Sequence, residues 1–200
     1  MDIRPFDKKR DLRAVERIWY EVGWVENPAE ASHVEEFLDA GSCIVGCLND
    51  SAECAVLTVP GSICYLEQEL PLCAVTGVTT SRIARKQGFA RVMTALQLAD
   101  AATQGAAVAA LGMFDQGFYD QVGFGTGSYE HTIRFDPSTL LVDRKFRVPS
   151  RIHKDDWPQV HAAMVGRLKH HGACTLSPSK MMKAELSWGE NCFGLGYYEG

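Results

Sequence analysis

The densest group of residues that could bind a ligand lies between Thr76 and Arg91, where a strand-like run passes through a polar turn into an amphipathic helix. Such a turn directs free backbone N–H groups and the positive end of a helix toward one point, which makes an anion site. Gly88 would let phosphate oxygens approach the backbone, and Arg85, Lys86 and Arg91 add positive charge at the rim. The pattern predicts a pyrophosphate site, although a basic loop that binds nothing would have the same composition.

Other kinds of catalytic site find no support in the sequence. The six histidines show no metal-ligand spacing with cysteine or with paired carboxylates, and we expect no metal site. The seven cysteines are odd in number and contain no Cys-x-x-Cys pair, so we expect reduced and mostly buried thiols. No Gly-x-Ser-x-Gly or Cys-His-Asn element indicates a covalent nucleophile.

Composition and charge limit the partners. Hydrophobic residues make up 46% of the 200-residue chain, which is enough to bury a real core. The net charge of −5 argues against nucleic acid or an anionic membrane as the main partner, since both favour a basic face. The first residues lack the apolar region of a secretory signal, and no apolar run could span a bilayer, so we expect a cytoplasmic protein.

The elements that must position the turn follow from the spacing of apolar residues. The spacing predicts an extended segment over 3–6 and an amphipathic helix over 11–22. A second helix is predicted over 32–40, with Ser32 as N-cap, Glu35 in a capping box and Gly41 as its end.

The middle of the chain is rich in strands. Strand-like runs cover 43–48, 54–59, 62–70 and 72–79, with Pro60-Gly61 and Pro71 between the later ones. A helix from Gly88 to near Gly105 and a fully apolar strand over 106–113, suited to burial on both faces, follow. A short helix over 115–122 and a returning strand over 129–135 complete the pattern. These elements predict an α/β fold with a mixed, mostly antiparallel sheet and helices on both faces.

A polar run at 143–145 predicts a domain boundary. Beyond it, 146–152 and 192–198 are strand-like, and the apolar spacing between Trp157 and Leu168 is helical. We therefore expect a first domain over 1–145 and the incomplete start of a second, similar domain over 146–200.

Two motifs resemble those of a known family. Arg85-x-x-Gly88-x-Ala90 fits the Gln/Arg-x-x-Gly-x-Gly/Ala pattern of the GNAT acetyltransferases, and the run 118–125 resembles that family's Phe-Tyr-x-x-x-Gly-Phe element. Within this superfamily, residues 1–145 are similar to the Eis-type (enhanced intracellular survival) branch. That branch has tandem GNAT domains followed by a third, carrier-protein-like domain. The resemblance implies the GNAT acyltransferase fold over 1–145 and a partial second GNAT-like domain over 146–200.

The resemblance also implies roles for individual residues. The positions that match the family's acetyl-CoA contacts are Val78, Thr79, Thr80, Arg85, Lys86, Gln87, Gly88, Phe89, Ala90, Arg91, Phe114 and Asp115. The first three match the strand that pairs with the pantetheine arm, and 86–91 match the pyrophosphate loop. Tyr119 matches the general acid that protonates the leaving thiolate, although a packed tyrosine with a satisfied hydroxyl is the alternative. The Eis-type base is the carboxylate of the chain's own C-terminus, and Gly200 does not simply inherit that role.

The expected function is transfer of an acetyl group from acetyl-CoA to a primary amine, on a small molecule or a lysine side chain, by direct attack on the thioester. Trp19, Tyr20 and Trp24 could line the amine pocket, although core packing explains Trp19 better. Two alternatives stay open. One is a non-catalytic CoA-binding regulatory module or inactive fragment of a larger tandem-GNAT protein, and the other is a thiol or metal sensor built on the cysteines. The sequence selects no acceptor, and a homo-oligomer is among the assemblies it allows.

Overall fold

A six-stranded sheet forms the centre of the computed structural model, which describes residues 1–113, 117–127, 132–141, 147–188 and 193–197. Five of its strands lie in the order β1 (Asp2–Pro5), β2 (Ser42–Leu48), β3 (Ser51–Tyr65), β4 (Gln68–Thr80) and β5 (Val108–Ala110). The first four pair antiparallel with their neighbours, and β4 pairs parallel with β5. The predicted mixed, mostly antiparallel sheet is confirmed.

Helices cover both faces of this sheet. The helices α1 (Lys8–Val22), α2 (Pro28–Ala31) and α3 (Val34–Leu38) connect β1 to β2, and α4 (Phe89–Thr103) connects β4 to β5. Successive strand residues point to opposite faces. Val56 therefore packs with Phe89 and Met93 of α4, whereas Ala55 packs with Val15 in the cluster around α1.

The helix predicted over 32–40 is present as α3, but the prediction of Ser32 as its N-cap in a capping box with Glu35 is wrong, because His33 is the N-cap and makes no side-chain capping bond. Asn27 caps the preceding helix α2, because its side-chain oxygen accepts from the N–H groups of Ala29 and Glu30 at 3.0 Å and Pro28 has a backbone suited to the first helical position. Ser32 ends α2, and its hydroxyl donates to the Ala29 carbonyl. α3 is then a separate helix of five residues.

The two prolines do not divide the strands as predicted, so three long strands replace the expected four. On one edge of β3, Pro60 lies between Thr58, the last residue paired with β2, and Gly61, the first residue paired with the later strand β7 (Cys174–Leu176). Pro71 directly precedes Leu72, the first residue paired with β5. Proline lacks a backbone donor, and both positions fall where pairing changes from one neighbour to the next.

β5 is shorter than the strand predicted over 106–113. It pairs with β4 through three residues only and is half-buried, because it forms an edge of the sheet. The returning strand predicted over 129–135 is wrong for its described part, since 132–135 contain no strand. The short helix predicted over 115–122 is a 3₁₀ turn, Tyr119–Val122, and 114–116 lie outside the described residues.

The elements after residue 146 contact the sheet that precedes them. They are β6 (Ser150–Ile152), α5 (Trp157–Gly166), β7 (Cys174–Leu176), α6 (Ser179–Trp188) and β8 (Gly194–Gly196). β6 and β8 form a separate antiparallel pair, but β7 is the sixth strand of the main sheet and pairs with 61–63 of β3. α6 packs on α3 through ion pairs from Lys183 to Glu36 and from Lys180 to Asp39. The division after residue 145 stays a prediction.

The described cysteines are free, and all but Cys174 are at least half-buried. Burial raises the pKa of Cys43 to about 12 and that of Cys54 to about 11. Both thiols therefore stay protonated at neutral pH, which makes them poor nucleophiles and poor metal ligands. Within the described ranges, no helix is both long and apolar enough to cross a bilayer.

A buried ion pair holds β1 against α1. The carboxylate of Asp11, which is 1% exposed, accepts from both terminal nitrogens of Arg4 at 2.6 and 2.8 Å and from the backbone N–H of Asp7 at 2.8 Å. Burial raises the pKa of Asp11, but the bonds from Arg4 and Asp7 outweigh that effect and leave the pKa below its ordinary value. The ionised carboxylate therefore stabilises the fold.

We expect Asp11→Asn to lower the free energy of unfolding by about 3 kcal/mol, because it leaves the Arg4 guanidinium without its buried partner. Urea unfolding at pH 7 measures the effect, and Asp50→Asn in an exposed turn is the control. Since the folded-state pKa is lowered, the contribution is present above the unfolded-state pKa of about 4 and is lost as pH falls through the folded-state pKa. An unchanged unfolding midpoint would contradict the assignment.

Candidate functional site

The site lies where β4 and β5 separate. Their pairing ends with Ala74 opposite Ala110, so the later backbone groups of β4 have no partner on that side within the described chain. Just beyond, Gly77 and Val78 together oppose the single residue Val56 of β3, which is a β-bulge. Gly77 has a φ of +60°, a conformation that glycine adopts without strain. The bulge and the separation leave backbone hydrogen-bonding groups near Val78 available to a ligand.

The predicted anion loop follows β4 directly. The Ala84 N–H donates to the Ser81 carbonyl at 3.1 Å, and the Gln87 side chain donates to the Ile83 carbonyl at 2.8 Å, so the loop is held by its own bonds. Gly88, with a φ of +82°, is the N-cap of α4 and supplies no side-chain acceptor for the helix amides. The first N–H groups of α4 therefore remain open, which is the arrangement that binds phosphate.

A cavity of about 760 Å³ joins this loop to the separated strand. Its lining consists of Val22, Trp24, Val78, Thr79, Thr80, Ala84, Arg85, Lys86, Gly88, Phe89, Ala90, Arg91, Phe118, Tyr119 and Gln121. We call it the cofactor-side cavity. Nine of the predicted contact residues line it. Gln87 does not, because its side chain bonds back to the loop, and Phe114 and Asp115 lie outside the described residues.

The charges on this cavity are all positive. Arg85, Lys86 and Arg91 are exposed, and no described carboxylate forms an ion pair with any of them. No described acidic residue lines the cavity either. Three free cations beside an open helix N-terminus favour a ligand that carries several negative charges.

A second cavity of about 440 Å³ lies against the same stretch of β4. It is lined by Trp19, Trp24, Phe37, Val75, Thr76, Gly77, Val78, Gly112, Tyr119 and Trp188. We call it the aromatic cavity. The ring of Trp19 stacks on that of Trp188 at 5.4 Å between centroids and meets Trp24 and Phe37 edge-on at 5.3 Å. Five aromatic residues on one cavity favour an apolar or cationic guest.

Tyr119 borders both cavities, together with Val78 and Trp24. Its ring lies edge-on to those of Phe118 and Phe124, at 5.0 and 5.9 Å between centroids, and these contacts fix its position. Burial raises the pKa of the Tyr119 phenol above its ordinary value. The hydroxyl is therefore protonated at neutral pH and is available as a proton donor where the cavities meet.

Sequence reasoning missed Trp188 and misassigned Tyr20. Trp188 ends α6, and the apolar positions Met181, Ala184 and Trp188 could have revealed that helix through their spacing. Tyr20 lies outside both cavities and is 40% exposed, because one further residue on α1 rotates it away from the face that carries Trp19. Trp19 has both predicted roles, since it is 1% exposed in the core and also lines the aromatic cavity.

The described lining residues of the two cavities include no carboxylate and no imidazole, so they supply no obvious general base. Nor does the described part of the chain hold three or more histidine, cysteine or acidic side chains grouped to bind a metal ion.

Comparison with known proteins agrees with this geometry. The sequence profile described as an acetyltransferase (GNAT) domain matches residues 2–127. Eis1 from Mycobacterium abscessus shares the fold with a TM-score of 0.74 at 18% identity, over 92% of this chain and 47% of Eis1. A GCN5-related N-acetyltransferase from Kribbella flavida has a TM-score of 0.54 at 16% identity, over 61% of this chain and 33% of its own.

A shorter protein has a similar fold along its whole length. A ribosomal-protein-alanine N-acetyltransferase from Brucella melitensis has a TM-score of 0.53 at 16% identity, over 68% of this chain and all of its own. The matched part therefore spans less than half the length of Eis1 and of the Kribbella protein, but the whole length of the Brucella protein. No curated protein matches the sequence.

Proposed function

Since the chain belongs to the GNAT acetyltransferase family, we propose that it transfers the acetyl group of acetyl-CoA to a primary amine. The observation that carries this proposal is the meeting of two chemically different cavities at Tyr119. One cavity suits a polyanionic cosubstrate and the other suits a cationic acceptor. A group transfer between them needs a proton donor at their junction, and Tyr119 is placed there.

The residues present fit acetyl-CoA. The open amides of α4, with Arg85, Lys86 and Arg91 beside them, would hold the pyrophosphate. The edge of β4 from Val78 to Thr80 that faces away from β3, which has no strand partner among the described residues, would pair with the pantetheine arm. When bound, acetyl-CoA supplies an activated acyl group. The backbone N–H groups near the bulge would then polarise the thioester carbonyl.

The proposed reaction is a direct transfer. The amine nitrogen forms a bond to the acetyl carbon while the carbon–sulfur bond breaks, and the leaving sulfur takes the proton of the Tyr119 hydroxyl. The nitrogen gives up two protons, one when the bound ammonium becomes the neutral amine that attacks and one after the new bond has formed. We propose water as the acceptor of both, because the described lining offers no carboxylate or imidazole. Tyr119 is then reprotonated from solvent.

The acceptor class follows from the aromatic cavity. Indole faces attract ammonium groups, and a protein of net charge −5 attracts cations at longer range. We propose a primary amine on an apolar or polycationic skeleton, either a small molecule or a lysine side chain. The free cysteines are typical of a reducing compartment, so we also propose a cytoplasmic location.

The first test is calorimetric titration of acetyl-CoA into the protein, followed by measurement of thiol release with a panel of polyamines, aminoglycosides and lysine peptides. We expect saturable one-site binding and amine-dependent release. Binding without release for every amine would favour the regulatory-module alternative, and absence of binding would contradict the proposal.

We expect Gly88→Glu to abolish acetyl-CoA binding, because it places a carboxylate and bulk against the open amides of α4. Gly105→Glu is a matched control, since Gly105 follows the other end of the same helix with a φ of +97° and open space around it. Both substitutions impose similar backbone strain, but only the first lies at the phosphate site. Equal affinity in the two variants, measured by calorimetry, would reject the loop assignment.

We expect Tyr119→Phe to lower kcat roughly a hundredfold while the Kd for acetyl-CoA changes little, because the substitution removes only the transferable proton. The wild-type rate should fall only above the ordinary tyrosine pKa of about 10, since burial raises the pKa of Tyr119. Tyr20→Phe, at an exposed position on α1, controls for loss of a hydroxyl. A wild-type rate in Tyr119→Phe at every pH would exclude Tyr119 as the acid.

We expect Trp188→Ala to raise the KM for the amine by about fivefold and to leave the Kd for acetyl-CoA unchanged, because Trp188 lines only the aromatic cavity. Trp157→Ala in α5 is the control, since Trp157 lines neither cavity. If Trp188→Ala changed only the Kd for acetyl-CoA and not the KM for the amine, the result would contradict binding of the amine in the aromatic cavity.

A further inference from the structure

A buried carboxylate lies beneath the start of the phosphate loop. Glu53 of β3 is 2% exposed, and its backbone carbonyl accepts from the N–H of Ser81, the first loop residue, at 2.8 Å. Its side-chain Oε1 accepts from the guanidinium of Arg17 at 2.7 Å. The other oxygen, Oε2, is buried and reaches hydrogen-bonding geometry with no described partner, and the same is true of the Ser81 hydroxyl.

The Ser81 hydroxyl nevertheless lies close to this carboxylate. Burial raises the pKa of Glu53, but the nearby Ser81 hydroxyl and Arg17 outweigh it, so the pKa is lowered and the group is ionised. A buried charge is costly unless it is paired, and Arg17 is the cation that pairs with it. The first loop residue, Ser81, therefore lies beside the ionised carboxylate of Glu53, which Arg17 of α1 holds in place.

α1 contacts the loop at a second point one helical turn later. The carboxylate of Glu21 accepts from the backbone N–H of Arg82 at 3.0 Å, and Arg17 also donates to the carbonyl of Ala52 at 3.1 Å. Arg17 and Glu21 are four residues apart and share one face of α1. Together they hold the first two loop residues. Arg17 holds Ser81 indirectly, by way of Glu53, and Glu21 holds Arg82 directly.

Resting on the function proposed above, we propose that Glu53 is a positioning residue for acetyl-CoA. With Arg17 and Glu21, it fixes where β4 ends and the loop begins. The open amides of α4 are then already placed to receive the pyrophosphate. None of these three side chains lines the cofactor-side cavity, so they act through the loop and not by contact with the ligand.

The helix α1 links the loop to the amine side of the site. α1 also carries Trp19 and Val22, which line the aromatic and the cofactor-side cavities respectively. A shift of α1 would therefore move the loop and the aromatic wall together.

The test compares two buried carboxylates whose ion pairs both involve α1, Glu53 with Arg17 and Asp11 with Arg4. Glu53→Gln keeps the shape of the side chain but removes the negative charge that pairs with Arg17. Asp11→Asn likewise removes the charge that pairs with Arg4, at a position remote from the loop. We expect Glu53→Gln to raise the Kd for CoA by about tenfold, with kcat at saturating acetyl-CoA within about twofold of the wild type. Asp11→Asn should lose thermal stability but keep the wild-type Kd.

Glu21→Ala provides a second variant at a partly exposed position, where folding is less at risk. It removes the acceptor for the Arg82 N–H, and we expect a smaller rise in the CoA Kd. Wild-type affinity in Glu53→Gln, or in Glu21→Ala if the first variant does not fold, overturns the positioning role. Equal rises in Glu53→Gln and Asp11→Asn also overturn it, because they would reflect general destabilisation. A wild-type protein that does not bind CoA would instead reject the proposed function itself.

Discussion

The parallel pairing of β4 with β5 ends after three residues, and beyond Ala74 and Ala110 each strand follows its own course. Unpaired backbone groups inside a protein are unfavourable unless a partner satisfies them. Here the stretch of β4 beyond Ala74, which includes the bulge at Gly77 and Val78, lines the two cavities. Three features depend on this separation: the two cavities, the access of a ligand to β4, and the position of Tyr119 where the cavities meet.

A separation of strands forms a site only if the helix between them is firmly held, and α4 is held at its start and at its middle. A Cβ on Gly46 of β2 would lie 2.4 Å from the ring of Phe89, so the absence of a side chain there lets the first turn of α4 pack directly on the sheet. At the middle of the helix, the buried Gln97 amide donates to the carbonyls of Ser42 and Val56 at 2.7 and 3.2 Å. The open amides of the helix are thus placed by core packing and need not be ordered by the ligand.

The sequence predicted the strand, turn and helix around Gly88 correctly because each depends on local spacing: alternation along β4, a glycine with positive φ, and apolar residues at helical intervals in α4. The predictions from sequence failed where contacts with residues distant in the chain determine the structure. Whether Pro60 ends a strand depends on which neighbour lies beside it, and Ser32 ends α2, a helix that the sequence analysis did not predict, instead of capping α3. Trp188 could not be assigned to the site, because its position follows from the docking of α6 on α3 across 150 residues of sequence. The roles predicted for the loop residues and for Tyr119 stay predictions.

The sixth strand of the main sheet comes from residues that follow the family match by almost fifty positions. β7 covers the far end of β3, and Met181 of α6 closes the small core of Ala40, Leu57 and Val59. A fragment cut where the match ends would expose a row of backbone donors and acceptors beside a bare apolar surface, which is the arrangement that promotes aggregation between sheets. The unit that keeps this sheet edge and small core covered therefore extends beyond the family match to Trp188.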